Sequence, residues 1–190
     1  MVHVAYTDDD DLKIGRLAVP NAVYGNQTWH LRTIAEDIVS GEIELAISRN
    51  SLMNIYFQDT NLALHHMWFN TAYWNSSILD PGPIGADIEV SIDSDYVTHI
   101  VYTQTSENEV RLIRTTPPEE TTTSYAWRGD ELTISRQVIV RDSNITQPVA
   151  MDLDSNFIEQ ISYSQSDGSG NSTVSLLRSL AGKDEGRIDP

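Results

Sequence analysis

The chain has 190 residues, 39% of them hydrophobic, with 28 acidic against 12 basic side chains and a net charge of −16. That length can bury a sizeable core in one domain or a pair, and such a charge repels phosphate backbones and so argues against nucleic acid as a partner. There is no cysteine, which excludes disulfides, zinc thiolate sites and cysteine nucleophiles, and no apolar run near the roughly 18 residues needed to span a bilayer as a helix.

The N-terminus, MVHVAYTDDDD, has neither the basic start nor the apolar middle of a signal peptide. Residues 2–6 alternate as a strand, Asp8 to Asp11 form an acidic turn, and Leu12-Lys13-Ile14 resumes as a second strand. Consecutive carboxylates point in different directions along an extended chain, and calcium loops space their ligands around a glycine, so a solvated hairpin tip is expected and no metal site. After the turn-forming Pro20-Asn21 and Tyr24-Gly25-Asn26, Trp29 to Ile34 reads as another strand.

Four short strands follow: Ile43 to Ile47, Met53 to Gln58, Leu62 to Trp68 and Trp74 to Leu79. The pair His65-His66 falls within the third of them, where neighbouring residues face opposite sides of a sheet and ordinarily cannot share one metal ion. Ile88 to Tyr102, IEVSIDSDYVTHIVY, is a strand, the turn Asp93-Ser94-Asp95 and a second strand. Val110 to Arg114 continues that unit, Thr115 to Gly129 is a loop rich in Pro, Glu and Thr, and Leu132 to Val140 is a strand. The last unit has strands at Val149 to Leu153, Gln160 to Tyr163 and Val174 to Leu177, with a flexible turn over Ser166 to Asn171.

These segments are copies. Ile43-Glu44-Leu45-Ala46-Ile47 precedes Ile88-Glu89-Val90-Ser91-Ile92 by 45 residues, as Asn54-Ile55 precedes His99-Ile100 and Trp29 precedes Trp74. The copy holding Asp154-Ser155-Asn156 and Gln160-Ile161-Ser162-Tyr163 lies 61 residues after its counterpart, and His3-Val4-Ala5-Tyr6 matches the second strand alone, 51 residues before Asn54-Ile55-Tyr56-Phe57. Four antiparallel strands repeated at such a period fit a propeller blade. The expected fold is all-β: a β-propeller-type array of about four blades whose terminal blades are incomplete, either a partial propeller or a protomer of a larger one. Residues 1–180 form one repeat domain, with units over about 1–40, 41–86, 87–147 and 148–180, and 181–190 is a polar tail. Because the chain starts inside a repeat, its start is expected to be a processed or truncated one.

The recurring apolar strand, Asp-Ser-Asp or Asp-Ser-Asn, then His/Gln-Ile-x-Tyr resembles repeats of the broad sialidase-like, Asp-box group of β-propellers, and the repeat arrays of secreted or surface proteins of archaea and bacteria. The resemblance covers almost the whole chain and implies the fold more than the activity. The nearest approach to an Asp-box, Gly25-Asn26-Gln27-Thr28-Trp29, has one residue too many and no Asp. A sialidase needs an arginine cluster, a tyrosine nucleophile and an acid; Arg16, Arg32, Arg49, Arg111, Arg114, Arg128, Arg136 and Arg141 do not fit that pattern by position. No catalytic residue carries over.

The expected function is therefore a non-catalytic binding or structural module, extracellular or at a cell surface, with a protein or glycan ligand and no cofactor. Self-association or the remainder of a longer chain would supply a further partner; membrane insertion is not expected. The alternatives are a glycoside-processing propeller enzyme and a subunit that self-assembles through open strand edges. Trp29 and Trp74 are binding candidates as sugar-stacking platforms, with inter-sheet packing as their simpler role. Asp93, Asp95 and Asp154 are acidic candidates whose simpler role is to cap turns. Four sequons, at Asn26, Asn75, Asn144 and Asn171, make those asparagines glycosylation candidates and favour export.

Overall fold

The computed structural model of the chain describes residues 2–18, 28–36, 39–47, 53–69, 73–116 and 133–178. Among the described residues there are fourteen strands and no helix. The first sheet holds β1 (Val2–Asp8), β2 (Asp11–Ala18) and β3 (Thr28–Ala35); the second β4 (Val39–Ile47), β5 (Met53–Asp59), β6 (Leu64–Phe69) and β7 (Trp74–Asp80). The third holds β8 (Ile84–Ile92), β9 (Thr98–Gln104), β10 (Glu109–Thr116) and β11 (Thr133–Arg141), and the fourth β12 (Ile145–Leu153), β13 (Glu159–Ser166) and β14 (Ser172–Arg178). Every pairing is antiparallel between neighbours in sequence. The chain is thus a propeller-type array of four blades in which, among the described residues, the first sheet has no first strand and the last no fourth.

The two-residue period dictates how the sheets stack. On β5, Ile55 and Phe57 join Leu12 and Ile14 of the first sheet in one core, while Tyr56, between them, faces the third sheet. On β9, Ile100 and Tyr102 face the second sheet and Val101 faces the fourth, where Ile161 and Tyr163 of β13 return the contact. The middle strands are therefore apolar on both sides, as sheets covered on both faces require. The first strands β4, β8 and β12 lie beside one another along the inner edge of the stack.

Each first strand carries the same irregularity. Its register with the second strand slips between Val39 and Ile43 in β4, Ile84 and Ile88 in β8, and Thr146 and Val149 in β12. Such a bulge leaves residues outside the ladder, which suits Pro148, a residue with no amide hydrogen to donate. Alternation restarts after the bulge, so the sequence marks only the second half of each first strand.

The turns use a repeated device. Asp59, Asp93 and Asp154 each accept two backbone N–H bonds through Oδ1, from Asn61 and Ala63 (both 2.8 Å), Asp95 and Val97 (2.8 and 3.0 Å), and Asn156 and Ile158 (2.8 and 3.1 Å). The residue three after each Asp, namely Leu62, Tyr96 or Phe157, takes a left-handed φ of 63°, 65° or 59°. That conformation explains why the third strand of the second blade starts at Leu64 and not, as its apolar residues suggest, at Leu62. Asp9 and Asp10 take φ values of 51° and 65° at the tip of the β1–β2 hairpin, the geometry of a two-residue turn matched to strand twist.

One end of the stack is stitched by backbone hydrogen bonds between connections: Ile84 N to Leu62 O (2.8 Å), Thr105 N to Pro83 O (3.0 Å), Asp142 N to Asn108 O (3.1 Å) and Ser166 N to Asn144 O (2.9 Å). Gly82 sits in this seam at φ 78°, and a Cβ there would fall 2.2 Å from Leu62 O, so both conformation and space demand glycine. The opposite end carries the Asp93 and Asp154 turns and the C-terminal end of β10. The Pro- and Thr-rich loop assigned to Thr115 to Gly129 lies, beyond Thr116, outside the described residues, as does the tail 181–190.

Leu112 and Leu176 occupy the same place in the repeat, paired with Val101 and Ser162. Leu112 is buried between sheets and Leu176 is exposed. Leu112→Ala should cost about 2–5 kcal/mol through the cavity it leaves, and Leu176→Ala in dilute solution should stay within about 0.5 kcal/mol. Urea unfolding of the two variants measures this; equal losses would mean that the outer face of β14 is already covered.

Candidate functional site

The acidic side chains divide into two populations. The first is tied into the fold. Glu159, fully buried on β13, accepts Arg114 Nε (2.6 Å) and lies 2.7 Å from His99 Nδ1, while His99 Nε2 lies 3.2 Å from Asp93 Oδ2. Both ring nitrogens of His99 thus face carboxylates, and the cluster joins the third sheet to the fourth. Burial opposes ionisation of Glu159, but the hydrogen bonds from His99 and Arg114 outweigh it and hold its pKa well below the usual carboxylate range.

A second cluster sits at the stitched end. Asp80, at the end of β7, accepts Tyr102 Oη (2.6 Å), Arg111 Nη1 (2.9 Å) and the Gly82 amide (2.9 Å). Arg111 Nε also donates to Glu109 (2.7 Å), which is wholly buried and accepts Arg141 Nε as well (2.6 Å). Burial raises the pKa of both Asp80 and Glu109, yet the donors around them prevail and both are lowered. Burial and the Asp80 contact push the Tyr102 hydroxyl up. Arg136, in turn, donates to Leu79 O through Nε and Nη2 (3.2 and 2.8 Å). Arg111, Arg114, Arg136 and Arg141 are therefore bound to internal acceptors.

The second population lies where β4 meets β8. Glu44 has its pKa pushed up to about 7 by desolvation and by the charges of Glu89 and Glu42. Glu89 is raised by desolvation and then by Glu42 and Asp87. Glu42 reaches from β4 to accept the Ile88 amide at 3.2 Å, fixing the two inner strands side by side. A carboxyl group held partly protonated near neutral pH by burial and like charge, as Glu44 is, is the pattern by which functional carboxylates are recognised, so this seam is the candidate site. It can retain a proton near pH 7, accept hydrogen bonds from a hydroxylated ligand, or attract a cation. Among the described residues, no group of three or more His, Asp or Glu side chains is placed to hold a metal ion.

The residues singled out by sequence are placed as follows. Trp29 and Trp74 both open fourth strands, and the Asp93–Asp95 and Asp154 turns join first strands to second, which puts all five residues at the same, unstitched end of the blades. They are not gathered into one cluster. Trp74 packs into the core between the first two sheets, its ring 5.4 Å from Phe69, whereas Trp29 is 43% exposed on the outer face of the first sheet. Asp93 and Asp154 cap turns, and Asp154 also takes Arg178 Nη2 at 2.8 Å; backbone N–H bonds from Ile158 and Asn156 are the leading reason its pKa is lowered. Asp95 is exposed beside Asp93. Asn144 and Asn171 are exposed in turns, Asn75 buries its amide nitrogen on β7, and Asn26 lies outside the described residues.

His65 and His66 point apart. His65 stacks on Phe57 and lies 2.9 Å from Asp59, while His66 stacks on Tyr56, lies tilted against Trp68 and donates from Nε2 to Asn54 Oδ1 (3.0 Å). Burial lowers the His66 pKa to about 3, which keeps it neutral in the core.

Sequence reasoning missed Glu44 and Glu89. The available signal was their shared repeat position, one acid on each of two inner strands, 45 residues apart. Strand alternation alone assigns such residues to a solvated face.

No family model matches the chain, and no curated protein matches it. A solved structure that does match is an α-L-arabinofuranosidase from Clostridium thermocellum, at 14% identity and a TM-score of 0.44, over 92% of this chain and 67% of that one.

Two pH effects follow from the two populations. For Glu159, Glu109 and Asp80 the folded pKa lies below the unfolded value, so their contribution is present above about pH 4.5 and is lost as pH falls below it. Glu159→Gln should cost about 2–3 kcal/mol at pH 7 and flatten the acid limb of a urea-midpoint profile; a limb parallel to that of the parent chain would contradict this. Glu44 has the opposite sign: the folded state holds its proton more tightly, so stability is lost as pH rises from about 4.5 through about 7. Glu44→Gln should gain about 1 kcal/mol relative to the parent chain between pH 5 and pH 8, solvent screening included.

Proposed function

We propose that the chain is a non-catalytic propeller module, extracellular or at a cell surface, that serves as a binding or structural surface. The observation that carries this is the commitment of its acids and arginines to the fold. Asp93 and Asp154 are consumed by their own turns, and Asp80, Glu109 and Glu159 are held ionised by arginines and a histidine. A protein or glycan ligand meets the unstitched end of the blades, where the Asp93 and Asp154 turns emerge. The sequons at Asn144 and Asn171, both exposed in turns, support an exported setting.

One observation favours a second reading. Glu44, raised to about 7 beside Glu89, is a carboxyl group of the kind that donates a proton to a leaving glycoside oxygen, and the pair lies on the inner strands of a propeller-type stack. In that reading Glu44 is the general acid and Glu89 the second carboxylate.

A panel of chromogenic glycosides, including α-L-arabinofuranosides and sialosides, separates the two. The module should release no chromophore above the buffer rate between pH 5 and pH 8. Turnover that falls by about a hundredfold or more in Glu44→Gln, the scale of lost general-acid catalysis, would replace the binding reading with the enzymatic one.

A further inference from the structure

The two outer faces of the stack are the two halves of an interface that the chain already uses three times. In the second, third and fourth sheets, the face turned toward the preceding blade is built on Ile55 and Phe57, Ile100 and Tyr102, and Ile161 and Tyr163. The same repeat positions in the first sheet are Val4 and Tyr6, and among the described residues no sheet packs on that face. Trp29 and Leu31 stand on this face at 43% and 62% exposure, around Gly15, where a Cβ would meet Val4, Leu31 and Trp29 at 2.9–3.2 Å. Trp74, the repeat counterpart of Trp29, is packed against a preceding sheet.

The face turned toward the following blade tells the same story at the other end. Val110 and Leu112 of β10 are 0% and 1% exposed against the fourth sheet. Their partners on β9, Thr103 and Val101, correspond in the repeat to Ser164 and Ser162 on β13, which pair with Val174 and Leu176. Those two side chains are 74% and 69% exposed. Large aliphatic residues held out of water at one copy of a position and in water at another mark an unfilled contact.

We propose that a second copy of this chain fills it, head to tail, with the Val174 and Leu176 face of one copy on the Val4, Trp29 and Leu31 face of the next. The occupant each face needs is a sheet carrying the other face at the same repeat register, and the chain presents one of each. The pairing is heterologous, so it builds a ring or an open stack and not an isologous dimer. It uses sheet faces and leaves strand edges free, which separates it from edge-to-edge pairing. This contact is independent of what the module binds at its unstitched end. Because each copy carries −16, repulsion opposes the contact and salt strengthens it.

Light scattering over a concentration series tests this with Leu31→Lys and Leu176→Lys, both on exposed side chains and both checked for unchanged far-UV circular dichroism. Should either lose its fold, Val174→Lys or Trp29→Lys replaces it on the same face. The parent chain should exceed 21.3 kDa as concentration rises, and at lower concentration in high salt. Each variant alone should stay at 21.3 kDa, with association weakened more than about tenfold, and an equimolar mixture should give twice that mass, since each variant keeps one intact face. A parent chain that stays monomeric throughout overturns the proposal. So does a mixture that forms no heterodimer, or one variant that associates as the parent does.

Discussion

A β-strand with apolar side chains on both faces needs a sheet packed on each side of it, and this requirement governs the whole molecule. β5 and β9 are such strands, and each draws a neighbouring sheet onto each of its faces through Ile55 and Phe57 against Tyr56, or Ile100 and Tyr102 against Val101. Stacked sheets pack about 10 Å apart, and a chain that repeats one four-stranded unit meets the requirement by laying its units side by side. Repetition solves the interior and leaves the ends unsolved, because every blade carries both a leading and a trailing apolar face.

Charge is arranged around that stack. A surplus of acids keeps the exterior strongly negative, yet the buried acids act as ties. Glu159 links the third sheet to the fourth through His99 and Arg114, and Asp80 links the second to the third through Tyr102 and Arg111. Each buried carboxylate accepts charge-assisted hydrogen bonds from at least two donors, the condition under which burying a charge is tolerable. The Glu44 and Glu89 seam departs from this rule: its acids repel one another and rise in pKa with no arginine among the causes. Glu44 therefore costs the fold stability as pH rises through about 7.

Much of this architecture was legible in the sequence, because the repeat offset of 45 residues and the alternation of Ile88, Val90 and Ile92 report blade period and strand phase directly. The strand content of each blade among the described residues, three strands in the first and last and four in the others, could be read the same way. The first halves of β4, β8 and β12 could not, since the bulge before Ile43, Ile88 and Val149 breaks the period that identifies a strand. Leu62 misled for a local reason, its left-handed φ inside an apolar run. The ion clusters were hidden because Glu109 with Arg141, and His99 with Glu159, are joined by register and stacking across 32 and 60 residues. Trp29 and Trp74 were legible as equivalents, but only the stack shows that one is covered and the other is not.

Amide hydrogen exchange in dilute solution tests the central claim, that each blade is stabilised by the sheets on both its faces, most directly. Protection should be greatest in β9 and β5, whose sheets are covered on both sides, and should fall toward β1 and β14, whose sheets are covered on one. Equal protection across all four sheets would contradict it, and would mean that the terminal faces are closed within a single chain.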